Sequence, residues 1–150
     1  MKLTDYLTPN HIVTGFTAAD KASALSGLCR LAAGRYDLDY QKMLKVVMDR
    51  EALGSTGLGG SVALPHGKSP DLDHAVLLMA VSQNGVDFDS IDGRPVKLFV
   101  LLLSPKDGDG REHLQLLASL GRLLKSRTVV DEILAAGGPD DIFRLLLERE

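Results

Sequence analysis

The chain has 150 residues, 45% of them hydrophobic and 25% charged, with 15 Gly, four His, one Cys, no Trp and a formal charge of −3. This length is the usual allotment for one domain, and it can bury about 70% of its unfolded surface without covalent staples. One Cys excludes an intramolecular disulfide and a four-Cys zinc site, the mild acidity without a Lys/Arg-rich run argues against nucleic acid, and an apolar stretch such as Leu98 to Leu103 is too short for membrane insertion. Met1-Lys2-Leu3-Thr4-Asp5 carries no secretory h-region, which together with the lone Cys points to the cytoplasm. Ile12 to Phe16 reads as a short strand. Asp20 then opens a helix with Leu25, Leu28, Cys29 and Ala32 on one face, and Gly34 is expected to end it. Asp39 N-caps a second helix, with Tyr40, Met43, Leu44 and Val47 inward, running to about Leu53 and stopping at Gly54. Gly54 to Ser61 is a loop by composition. Val62-Ala63-Leu64 is short and apolar, and Pro65 closes it. Ala75 to Val81 and Val96 to Leu103 are near-continuous apolar runs, the pattern of strands covered on both faces. Asn84-Gly85 and Asp92-Gly93 are turn signals between them, and Pro105 to Gly110 is a loop. Three helices finish the chain: Arg111 to Lys125, Thr128 to Ala135, and Pro139 to about Arg149. The last has Pro at an N1-like position and Asp140 and Asp141 in its first turn. Helices on either side of a central set of strands make an α/β layered domain. The strand order stays open.

The densest chemical signal runs from Arg50 to Lys68. A dinucleotide fingerprint fails, because the sixth position from Gly57 is Val62. Gly67-Lys68-Ser69 resembles the end of a P-loop, but the earlier Gly it requires is again Val62, and Pro65 interrupts the loop. An anion cradle fits better. Successive glycines let backbone N–H groups converge on an oxyanion, and Ser and Thr hydroxyls add donors. Arg50 precedes this loop by one turn, and its planar fork suits a phosphate. By itself Arg50 could simply neutralise the helix C-terminus; the Gly/Ser/Thr loop directly after it favours the phosphate role.

His66 sits between Pro65 and Gly67, so its imidazole has little steric cover from its neighbours. A neutral imidazole is a nucleophile near pH 7, and a hydrogen bond to one ring nitrogen can lock its tautomer. His113 begins a helix whose apolar stripe is Leu116, Leu117, Leu120 and Leu124, so it points into the protein. His66, His74 and His113 show no zinc-ligand spacing, so no metal is expected. His11 and His74 have no supporting context, there is no GxSxG elbow for a Ser hydrolase, and Cys29 reads as core.

Gly54-Ser55-Thr56-Gly57-Leu58-Gly59, followed by Ala63-Leu64-Pro65-His66-Gly67, resembles the enzyme IIA domain of the fructose/mannitol type in the bacterial phosphotransferase system (PTS). Phe88-Asp89-Ser90-Ile91-Asp92, Pro95-Val96 and His113-Leu114-Gln115-Leu116-Leu117-Ala118 extend the likeness over nearly the whole chain. Leu7-Thr8-Pro9 and Leu53-Gly54-Ser55-Thr56-Gly57 look more like the nitrogen-regulatory branch (enzyme IIA-Ntr). The resemblance implies a mixed central sheet sandwiched by helices, as one EIIA type-2 domain over residues 1–150. His66 would take a phosphoryl group from an HPr-like phosphocarrier protein. His113 would assist by hydrogen bonding and charge, Arg50 would support the phosphohistidine, and Ser55, Thr56 and Gly57 would lie near the phosphate. No cofactor is implied. The onward partner would be a regulatory protein or, in a sugar-transporting relative, a IIB domain; a non-catalytic binding module is the other alternative. The oligomeric state is open. The family usually has Gly where this chain has Ser61, with Gly60 shifted one place. Leu58, Val62 and Leu64 read either as an apolar docking surface or as core.

Overall fold

Two long apolar strands organise the molecule. In the computed structural model, which describes residues 1–150, the strands are β1 (Ile12–Val13), β2 (Gly57–Gly59), β3 (Val62–Ala63), β4 (His66–Ser69), β5 (Val76–Val86) and β6 (Val96–Pro105). The helices are α1 (Lys21–Tyr36), α2 (Tyr40–Ala52), α3 (Arg111–Lys125), α4 (Arg127–Ala135) and α5 (Pro139–Arg149). Short 3-10 turns at Leu3–Asp5 and Pro9–His11 precede β1. The sheet is mixed, as expected, in the order β1-β5-β6-β3-β2. β5 and β6 are antiparallel, β1 runs parallel to β5, and β3 and β4 follow one another along the far side of β6, both parallel to it.

Side chains alternate across a strand, so each continuous run feeds two cores. Leu77, Met79, Val81, Leu98, Val100 and Leu102 pack under α3, α4 and α5. Val76, Leu78, Ala80, Phe99, Leu101 and Leu103 pack under α1 and α2. The helices thus cover both faces of the sheet.

Several boundaries differ from the sequence expectation. α1 runs past Gly34 to Tyr36, and Asp37 takes the left-handed C-cap with φ 56°; Asp, whose short polar side chain can bond locally, is one of the few non-Gly residues that visit that region. Asn84-Gly85 does not turn the chain. It lies inside β5 where the register with β6 shifts, between Val81 and Val86. The reversal comes later, where the Gly93 amide bonds the Ser90 carbonyl. Part of the Gly54 to Ser61 loop is strand β2, paired with β3. Pro65 does not end the sheet contact, because β4 resumes pairing with β6 at the next residue. Val62 and Leu64 are core, whereas Leu58 is exposed.

Candidate functional site

β4 begins at His66, which lies opposite Leu102 of the central strand β6. Its side chain is half-buried, and its Nδ1 stands 2.8 Å from the carbonyl oxygen of Leu64. A carbonyl only accepts, so Nδ1 carries the proton and Nε2 keeps its lone pair. Burial lowers the His66 pKa below its usual value; the Leu64 bond opposes this and the Arg50 charge reinforces it. The ring is therefore neutral near pH 7 and offers one defined nucleophilic nitrogen.

His113 is the third residue of α3 and is buried, as its place on the apolar stripe requires. Its ring centroid is 5.9 Å from that of His66. Its Nδ1 lies 2.7 Å from the hydroxyl of buried Ser104 on β6. Burial, then the charges of Lys68 and His66, push its pKa down to about 4. In the free protein His113 is thus uncharged near neutral pH, and it keeps its capacity to donate a hydrogen bond.

Both imidazoles open on one cavity of about 450 Å3, lined also by Arg50, Lys68, Lys106, Asp49 and Leu53. Arg50 donates from Nη1 to the Gly54 carbonyl at 2.9 Å. It therefore neutralises the C-terminus of α2 and also lines the cavity that holds His66. Arg50, Lys68 and Lys106 form no ion pair, and the single carboxylate of the lining, Asp49, is held by Lys45 at 2.8 Å. Three uncompensated cations beside two neutral imidazoles make a site for an anion.

Ser55, Thr56 and Gly57 do not line this cavity. Thr56 is buried, and its amide and hydroxyl both donate to the carboxylate of Glu51. Glu51 in turn pairs with Lys21 at 2.6 Å. The Ser55 hydroxyl accepts from the Gly57 amide at 3.1 Å. These residues fasten the loop to the end of α2 and to α1. Ser61 takes a left-handed φ of 69°, following Gly59 at 80° and Gly60 at 61°. Ser61 thus takes a backbone conformation that Gly adopts more readily, and its carbonyl accepts from Lys97 and Leu98 of β6.

The family model for the phosphoenolpyruvate-dependent sugar phosphotransferase system, EIIA 2, matches residues 5–149. The chain belongs to this family. It is a IIA-type component of phosphoryl transfer and falls in the broad class of transferases. It is 36% identical over 146 residues to a nitrogen regulatory protein of Bradyrhizobium diazoefficiens, covering 97% of this chain and 95% of that one. It is 35% identical over 132 residues to the PTS system fructose-specific EIIA component of Haloferax volcanii, covering 87% and 84%. The crystal structure of nitrogen regulatory protein IIA-Ntr from Neisseria meningitidis matches with a TM-score of 0.88 at 28% identity, over 96% of this chain and 98% of that one. No helix is long and apolar enough to cross a membrane.

Sequence reasoning placed His66, His113 and Arg50, which share the cavity. It missed Ser104, Lys68 and Lys106. The signal for Lys68 was available: in a strand starting at His66, period-two alternation returns Lys68 to the same face. Ser104 had no such signal, since its partner lies across the loop before α3.

Proposed function

We propose that this protein carries a phosphoryl group on His66 Nε2, taken from an HPr-like phosphocarrier protein, and binds regulatory targets according to its phosphorylation state. The single observation that supports the site is the bond from His66 Nδ1–H to the Leu64 carbonyl, which leaves Nε2 as the reactive atom beside three unpaired cations.

As the donor's P–N bond breaks, the His66 Nε2–P bond forms, and the donor imidazole leaves with the electron pair. The proton stays on Nδ1, donated to the Leu64 carbonyl, so the modified ring is cationic and a good leaving group for onward transfer. His113 donates from Nε2 to a phosphoryl oxygen when the Ser104 hydroxyl donates to Nδ1, the tautomer that this role requires. Arg50 stabilises charge spread over the equatorial oxygens, the main demand of phosphoryl transfer. Ser55, Thr56 and Gly57 act at one remove, by setting the loop that follows Arg50. Exposed Leu53 (85%) lines the cavity and offers apolar contact to the donor at a small, transient interface. In this reading the protein works in the cytoplasm, with its phosphoryl donor.

The nitrogen regulatory relatives favour the regulatory role; the fructose-specific relative favours a second reading, in which the acceptor is a IIB domain. Incubation with phosphoenolpyruvate, enzyme I and an HPr-like carrier is expected to give an acid-labile label that is absent from His66→Ala. A label retained by His66→Ala rejects the site. Onward transfer to a IIB domain within seconds would favour the sugar-transport reading, and its absence the regulatory one.

A further inference from the structure

We propose that Lys68 is a phosphoryl-binding residue, whose ammonium completes the site from the side of α3 as Arg50 does from α2. The proposal rests on the reading of His66 as the phosphoryl carrier.

Four observations converge on Lys68. β4 puts His66 and Lys68 on one face, while Gly67 between them turns to α2. Lys68 lines the cavity that both imidazoles share. Its ammonium reaches the start of α3, where a side chain placed on Gly110 would stand 3.6 Å from Nζ. Most carboxylates on the flanking elements are engaged elsewhere: Glu112 accepts from Tyr6 and Ala75, Asp109 from the Arg111 amide, Asp49 from Lys45 and Asp71 from Lys42, while Asp107, in the loop before α3, pairs with no cation. Lys68 itself forms no ion pair.

An unpaired ammonium beside a buried imidazole is electrostatically unfavourable until an anion arrives, and it penalises protonation of that imidazole. A dianionic phosphoryl group on His66 reverses the balance. The ammonium then gains an oxyanion to donate to, and the penalty on His113 protonation is offset. A compact, rotatable charge on a flexible stem suits a group that must both arrive and leave, whereas the Arg50 fork supplies fixed direction. No covalent change at Lys68 is involved.

The experiment is a 31P NMR titration of the phosphorylated protein, with the rate of phosphoryl acceptance from an HPr-like carrier measured alongside. Lys68→Gln is expected to raise the phosphoryl group's second pKa and to slow acceptance by about tenfold or more. It should also raise the His113 pKa of the unphosphorylated protein. Lys68→Arg should restore most of the rate. Lys125→Gln, at the exposed far end of α3, removes the same net charge and should change none of these. Acceptance within about twofold of wild type and an unmoved phosphoryl pKa in Lys68→Gln overturn the proposal. If Lys68→Gln misfolds, Lys68→Met is measured in its place against the same two limits. Wild type that takes no label at all fails the carrier reading itself, a distinct result.

Discussion

Two imidazoles 5.9 Å apart are given different work by what touches their Nδ1 atoms. A carbonyl holds His66, so its tautomer is fixed; a hydroxyl faces His113, and a hydroxyl can donate or accept. The first arrangement suits a nucleophile and the second a group whose hydrogen bonding must adapt as charge arrives. His113→Ala is expected to leave the fold intact and to slow phosphoryl acceptance by about a hundredfold, the usual loss for one oxyanion donor. Rapid-quench labelling measures it, and an unchanged rate would remove His113 from the transfer step. Phosphorylation of His66 should raise the His113 pKa from about 4, because a nearby anion favours the imidazolium; 15N NMR titration of the two forms reads that shift. Ser61 supplies a separate residue-scale test. A left-handed non-Gly residue costs roughly 1–2 kcal/mol, while Gly loses more chain entropy on folding. Ser61→Gly is therefore expected to stabilise by up to about 1 kcal/mol in urea melts; destabilisation would mean that the Ser side chain contributes more than its backbone strain takes away.

At the scale of elements, Gly67 explains why α2 can carry Arg50 so close to His66. A Cβ at Gly67 would overlap Val46 Cγ1 and stand 3.3 Å from the Val46 carbonyl oxygen. Gly67→Ala must push α2 away from β4, at a cost of about 1–3 kcal/mol by analogy with overpacked cores. Because Arg50 moves with α2, acceptance should fall even where the variant is fully folded. A crystal structure of Gly67→Ala with α2 unmoved would defeat this account. The same strand shows where sequence legibility ends. α3 and α5, with their apolar stripes and charged first turns, could be read directly, as could the N-caps Asp20 and Asp39. β5 and β6 were legible because both faces are apolar. β4 was not: His-Gly-Lys-Ser after a Pro has neither apolar alternation nor β-branched residues, and its pairing comes from the neighbouring β6. Missing β4 is also why Lys68 was read only against a P-loop. Strand β2 escaped notice because glycines occupy two of its three positions, a composition that signals turns. The end of α1 is hidden because Gly34 signals a terminator, whereas Asp37 adopts the left-handed cap instead.

For the molecule as a whole, acid is the expected point of weakness, and the sign follows from two kinds of group. Unfolded histidine takes its proton near 6.5, whereas native His113 resists until about 4. Between those values the unfolded chain binds more protons, so stability falls as pH is lowered through that window. Burial lowers His66 and His11 in the same direction. Burial also pushes the Glu51 carboxyl upward, but the Lys21 and Thr56 donors outweigh it and hold the net value below the usual carboxylate range. The Ser23 amide does the same for Asp20, and the Gly60 amide for Asp92. Carboxylates lowered in the native state stabilise above their unfolded pKa, and that contribution is lost as pH falls through the native one. Both classes therefore work in one direction. His113 alone accounts for on the order of 3 kcal/mol between neutral pH and pH 4. Urea denaturation from pH 8 to pH 4 should show a monotonic loss, steepest below about pH 6.5 where the histidines dominate. His113→Gln, which cannot take up a proton, should flatten that part of the curve while leaving the carboxylate-driven loss at lower pH. If His113→Gln keeps the full slope, the acid sensitivity does not come from the second imidazole of the site.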